Sequence, residues 1–148
     1  MLPPPEFLKI FTDRQQCFAE LLELSQKQLG LVEADEYTQL LGLLGGKQKI
    51  ITRLDMIGKA RPQLWDEWRL ERDRLAPRIR QACEQALAET EALLSQLLES
   101  ERVGTERLTR RRDETARALR TIASGSRVNQ AYRDSLAPVT HRHLDLDQ

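Results

Sequence analysis

Few residues in this chain are of types that carry chemistry. His141 and His143 stand near the end of the sequence with Asp145 and Asp147. That cluster has the donor types to hold a divalent cation weakly, although a solvated terminus is the plainer reading. Cys17 and Cys83 both fall on apolar helical faces and make no disulfide framework. They are expected as buried free thiols. Gly45-Gly46-Lys47 lacks both the spacing and the preceding strand of a phosphate-binding loop. Carboxylates are plentiful, but helical surfaces carry them as i,i+4 partners of Lys and Arg. No nucleophile-and-base constellation is present, so neither an enzyme nor a bound cofactor is expected.

The stronger anomaly is electrostatic. Between Arg102 and Arg127 the chain carries eight arginines against three acids, Glu106, Asp113 and Glu114. Arg110-Arg111-Arg112 wraps most of a helix, which predicts that at least one of the three faces a neighbour or the seam. Three readings fit this run. One is a solvated helix end, where the dipole favours cations; the second is docking of an acidic partner; the third is nucleic-acid binding. The last is disfavoured because no aromatics are interleaved with the arginines. The whole chain has a formal net charge of zero, which makes no case for nucleic acid or a membrane surface.

The elements that must position these residues are helices. Leu75, Ile79, Ala82, Ala86, Leu93, Leu97, Gly104, Leu108, Thr115, Ala118 and Ile122 recur at gaps of three and four or their multiples. Unbroken, that stretch of about 48 residues makes a rod of roughly 70 Å. Such a rod needs partner helices. A first helix is expected over 7–33, with apolar positions Phe7, Ile10, Phe11, Cys17, Phe18, Leu21, Leu24, Leu31 and Val32. A second is expected over 36–57, capped by Asp35, with a seam of Tyr37, Leu40, Leu44, Ile51 and Leu54. The tight link between them predicts an antiparallel pair. Gly42, Gly45 and Gly46 mark either a close approach or a bend in the second helix. A shorter helix carrying Trp65 and Trp68 is expected over 63–75, then a kink or break at Pro77. The long helix follows over 78–123 and ends at Ser124-Gly125-Ser126, and a short helical piece covers 127–136.

At 40% hydrophobic, 31% charged and 5% aromatic residues, the apolar side chains suffice to line seams but not to fill a wide core. The fold class is therefore all-α: an elongated antiparallel helical bundle or coiled coil of three main helices, with one long C-terminal helix. Residues 1–6 read as an extended lead-in, 7–136 as a single helical domain and 137–148 as a disordered tail. No secretory signal is evident, and no apolar run reaches the ~18 residues of a spanning helix. A cytoplasmic location without membrane insertion is expected.

Particular stretches resemble a known family. Leu21-Leu22-Glu23-Leu24-Ser25, Gln28-Leu29, Glu33-Ala34-Asp35-Glu36-Tyr37, Leu40-Leu41 and Lys47-Gln48-Lys49-Ile50-Ile51-Thr52-Arg53-Leu54 are similar to the FlgN family of flagellar export chaperones. Arg127-Val128-Asn129-Gln130-Ala131-Tyr132 also resembles that family's C-terminal region. Trp65, Trp68 and Pro77 depart from the pattern. The resemblance covers about Phe7 to Leu136. It implies a cytoplasmic chaperone that binds the C-terminal helices of hook-associated flagellar proteins and delivers them to the flagellar export apparatus. It further implies client contacts at Leu119, Ile122, Val128, Tyr132 and Leu136, on a monomer or weak homodimer. The competing reading of the residues is a self-associating coiled-coil structural or adaptor protein without a client.

Overall fold

A computed structural model describes residues 4–136 of the chain, and the side chains of residues 6–133. The described residues form an all-α helical bundle. Its elements are α1 (Pro4–Glu33), α2 (Tyr37–Ala60), α3 (Leu64–Glu71), a 3₁₀ turn (Arg72–Arg74) and α4 (Pro77–Leu136). The expected tail, with His141 and His143, lies outside the described residues.

Helix α1 starts at Pro4, earlier than the expected Phe7. Proline suits a first helical turn because the N–H it lacks has no intrahelical partner there. The turn into α2 also differs from expectation. Asp35 does not cap α2; it ends α1, with φ of 56°. Its N–H bonds to the Val32 carbonyl at 3.3 Å, and the Glu36 N–H reaches back to the Leu31 carbonyl at 3.0 Å. These are the two bonds of a Schellman closure, in which the left-handed residue is most often Gly. Asp is among the few L-residues that visit this conformation. Its carboxylate accepts a bond from the Tyr37 hydroxyl at 2.9 Å.

The two compact units of the chain are Met1–Thr105 and Glu106–Gln148, where one domain over 7–136 was expected. In the first unit α1 and α2 run antiparallel. Arg61 pairs with Glu6 at 3.0 Å, Arg53 with Glu20 at 3.6 Å, and Lys47 donates to Gln28 at 2.9 Å, so α2 ascends as α1 descends. The first part of α4 runs parallel to α1, with contacts from Gln15 to Glu89 and from Ser25 to Glu101. Two apolar clusters fill the unit. One joins Phe7 and Phe11 to Leu64, Trp68, Leu75, Cys83 and Ala86. The other joins Cys17, Leu21 and Leu22 to Ile50 and Leu97. Both cysteines are buried free thiols, one in each cluster, and burial raises the Cys83 thiol pKa above its ordinary value.

The expected helix over 63–75 is α-helical only to Glu71; a 3₁₀ turn follows and Leu75 is extended, with ψ of 152°. The break answers to Pro77, which disfavours helix in the residue before it and then serves as the first residue of α4. The expected stop at Ser124-Gly125-Ser126 is overturned. Helix α4 continues through it to Leu136, absorbing the separate piece over 127–136. A helical Gly costs about 1 kcal/mol relative to Ala, and none of the glycines takes the positive φ that would close the helix. Gly42 and Gly45 likewise leave α2 intact, and no neighbour lies within 4 Å of a Cβ built at either. Of Gly42, Gly45 and Gly46, only Gly46 faces a neighbour, where a Cβ would meet Leu24 Cδ1 at 3.7 Å, and a tighter approach occurs at Gly104, where it would meet Leu29 Cδ2 at 3.3 Å.

Candidate partner-binding surface

The burial pattern along α4 changes at one residue. From Cys83 through Ala86, Thr90 and Leu97 to Gly104, the inward positions are buried at gaps of three, four and seven residues. Thr90 sits there without an orphaned polar atom, because its hydroxyl donates to the Ala86 carbonyl at 2.7 Å. Beyond Gly104 no described side chain is buried.

Among the described side chains from Glu106 to Arg133 the large apolar residues are therefore on the surface. Leu119 is 61% exposed, Ile122 67%, Val128 67% and Tyr132 66%. These are four of the five residues the family resemblance points to; the side chain of Leu136 lies outside the described ones. Their register does not place all four together. At about 100° per residue, Leu119 lies roughly 60° from Ile122 and Tyr132 roughly 80° to the other side. Val128 stands roughly 120° away from Ile122, adjoining Tyr132 one turn on. The usable stripe runs from Leu108 through Thr115, Ala118, Leu119 and Ile122 to Tyr132.

The three arginines of the cluster divide in exposure, in keeping with the expectation that at least one of them is covered. Arg110 and Arg112 are exposed and Arg111 is half-buried. Arg112 approaches Asp113 at 3.8 Å.

A second apolar surface was hidden in the α2 seam. Apolar residues cover more than half of this helix's circumference, and their periodicity does not say which part faces inward. The structure buries Lys47 and Ile50, with Leu43, Leu54 and Ile57 half-buried. Tyr37, Leu41, Leu44 and Ile51, three of them members of the expected seam, are exposed at 41–70%. Tyr37, Leu44 and Ile51 are seven residues apart, the spacing of a coiled-coil stripe.

What fixes the facing of α2 is polar. The Lys47 ammonium pairs with Glu101 on α4 and donates to Gln28 Oε1 on α1 at 2.9 Å. The Ser25 hydroxyl also donates to Glu101, at 2.5 Å. Burial pushes the Glu101 carboxyl pKa up, and the bonds from Lys47 and Ser25 together with the Lys47 charge outweigh it. The carboxyl ends below its ordinary value. One lysine thus ties three helices at a single level. The signal in the sequence for this inward lysine is its place seven residues before Leu54, on the same side of the helix.

At the other end of the unit, Trp68 is buried edge-on against Phe7 and Phe11, with centroids 5.6 and 5.1 Å away. Trp65 is 44% exposed, stacks on Phe11 at 5.7 Å and carries the Arg14 guanidinium 4.9 Å above its ring. The pair therefore divides, one indole in the core and one at the surface.

No family model, curated protein or solved structure matches the chain. Among the described residues, no helix is long and apolar enough to cross a membrane.

Proposed function

We propose that this chain is a cytoplasmic export chaperone of the flagellar type, which binds the C-terminal helices of hook-associated proteins and keeps them competent for secretion. The observation that carries the reading is the run of large apolar side chains on residues 106–133, each of Leu119, Ile122, Val128 and Tyr132 more than 60% exposed. Exposed apolar stripes on helices are surfaces for other helices. An amphipathic client helix laid along Ile122 and Tyr132 hides its own apolar face there. The rest of the client chain stays loose enough to enter a secretion pore. The resemblance to the FlgN family supplies the flagellar setting, and the role is one of binding rather than catalysis.

The test is capture of synthetic C-terminal helices of hook-associated proteins by the full chain. Replacing Ile122 and Tyr132 by Ala is expected to abolish capture while the helical circular dichroism and the unfolding midpoint stay at wild-type values. Equal capture by wild type and double variant refutes the site.

The α2 stripe favours a second reading, a self-associating helical adaptor without a client. Tyr37, Leu41, Leu44 and Ile51 would then form the contact between copies. Light scattering across a dilution series separates the two. A stable dimer lost in Leu41→Glu supports the adaptor; a monomer at all concentrations supports the chaperone.

A further inference from the structure

Resting on the reading of residues 106–133 as a helix-docking surface, we infer that this surface selects its partner by charge and takes an acidic amphipathic helix. The side chains described from Glu106 to Arg133 include eight arginines, no lysine and three acids. The distribution around the helix matters more than the total. Taking Ile122 as the centre of the apolar stripe and about 100° per residue, Arg107, Arg111, Arg112 and Arg133 fall within roughly 80° of it. Glu114 is the one acid on that half. The other four arginines, Arg110, Arg117, Arg120 and Arg127, lie on the opposite half roughly 120–160° away, together with Glu106 and Asp113 at roughly 160–180°.

A partner helix seated on Leu119, Ile122 and Tyr132 thus meets guanidinium groups along its flanks. Arginine pairs with carboxylates through a planar fork of donors, which fixes orientation as well as attraction. Acidic flanks on the partner offer these groups carboxylate acceptors in place of water. Lysine flanks set like charges together, which disfavours the wrong partner more than it affects the right one. The apolar stripe supplies the docking energy, and the arginines set which helices approach fast and stay.

Nucleic acid and anionic lipid also present negative charge, but neither explains the stripe as well. A duplex backbone offers no apolar ridge to cover Ile122 and Tyr132, and the arginines lack the interleaved aromatics of a single-strand groove. Membrane-surface helices present a polar face rich in cations opposite the apolar one. Here the opposite half carries Arg110, Arg117, Arg120 and Arg127 with Glu106 and Asp113, but an equal number of arginines flank the apolar stripe itself, so the cations are not set apart from it as on such helices.

The experiment uses the full chain and three fluorescent synthetic helices with one Leu/Ile stripe and flanks of Glu, Gln or Lys. Fluorescence anisotropy reads their binding at low and at high salt. The Glu-flanked helix is expected to bind at least about tenfold more tightly than the Gln-flanked one. That margin should shrink several-fold as salt screens the charges, and the Lys-flanked helix should bind weakest. In the R111Q/R112Q/R133Q variant the Glu-over-Gln preference is expected to fall below about threefold, with Gln-flanked binding unchanged. Equal binding of the Glu and Gln helices overturns the charge selection and leaves the docking surface standing. Failure of all three helices to bind overturns both. A duplex oligonucleotide or vesicles of anionic phospholipid bound more tightly than the Glu helix overturn the assignment to an acidic helix.

Discussion

The two units of this chain use helical periodicity to opposite ends. In Met1–Thr105 the seam of α1 and of the first part of α4 is spent inward, with Phe7, Phe11, Cys17 and Cys83 at most 1% exposed, while α2 keeps an apolar stripe outside. Among the described residues from Glu106 to Arg133 a stripe of similar spacing stays exposed. A periodic apolar pattern therefore establishes that a helix has a sticky side, and says nothing about whether the chain itself covers it. What separates the two units is the company of that stripe. The covered one comes with aromatic rings, a half-buried ion pair and a close glycine contact; the uncovered one comes with arginines.

The comparison is broken most sharply by matched truncations. Phe11→Ala removes a ring packed against Phe7, Trp65 and Trp68 and is expected to cost about 3–5 kcal/mol in chemical unfolding. Ile122→Ala removes a side chain of similar hydrophobicity from the exposed stripe and is expected to change stability by less than about 0.5 kcal/mol. Equal losses at both positions would mean that Ile122 is covered and the contrast is void.

The next effect is at the polar tie. Glu101→Gln leaves the Lys47 charge buried without its counter-ion and is expected to destabilise the chain by about 1–3 kcal/mol. Because the folded carboxyl lies below its ordinary value of 4.5, its contribution is present above that pH and is lost as pH falls below it. Unfolding midpoints measured down to acidic pH should show this decline in wild type and a weaker one in the variant. An unchanged pH profile would remove the ion pair from the account of what positions α2.

Smaller still are the glycines and the turn. Gly125→Ala places its Cβ where nothing lies within 4 Å and is expected to raise helicity, adding about 0.5–1 kcal/mol to local stability read by amide exchange. Gly104→Ala sets its Cβ against Leu29 Cδ2, so the same propensity gain is offset by crowding and the net change should stay near zero. Asp35→Gly relieves the left-handed strain but forfeits the bond from Tyr37. A gain of a few tenths of a kcal/mol is expected in the thermal midpoint.

Much of the architecture was legible from periodicity alone. The all-α class and the inward seam Leu75, Ile79, Ala86, Leu93, Leu97 and Gly104 follow from gaps of three and four, with Ala82 the exception, exposed beside a buried Cys83. The break before Pro77 follows from proline's sterics. Other features were opaque for physical reasons. Helix α2 has apolar residues over more than half its surface, so its facing depends on where one ammonium finds a carboxylate 54 residues away. Asp35 satisfies the rules for both a helix start and a left-handed stop, and only the carbonyls it meets decide. Ser124-Gly125-Ser126 reads as a terminator because such residues weaken helices, yet weakening by about 1 kcal/mol per glycine does not end one. The proposed site was legible as residue types on a helix. That Val128 points away from Ile122 became clear once the helix was known to continue without a break.

Both indoles of the protein, Trp65 and Trp68, belong to the aromatic cluster around Phe11. Intrinsic tryptophan emission is thus a gauge of that cluster alone. It should red-shift when the cluster melts and stay silent when a ligand engages residues 119–132, so unfolding and capture can be followed in one cuvette as two independent signals.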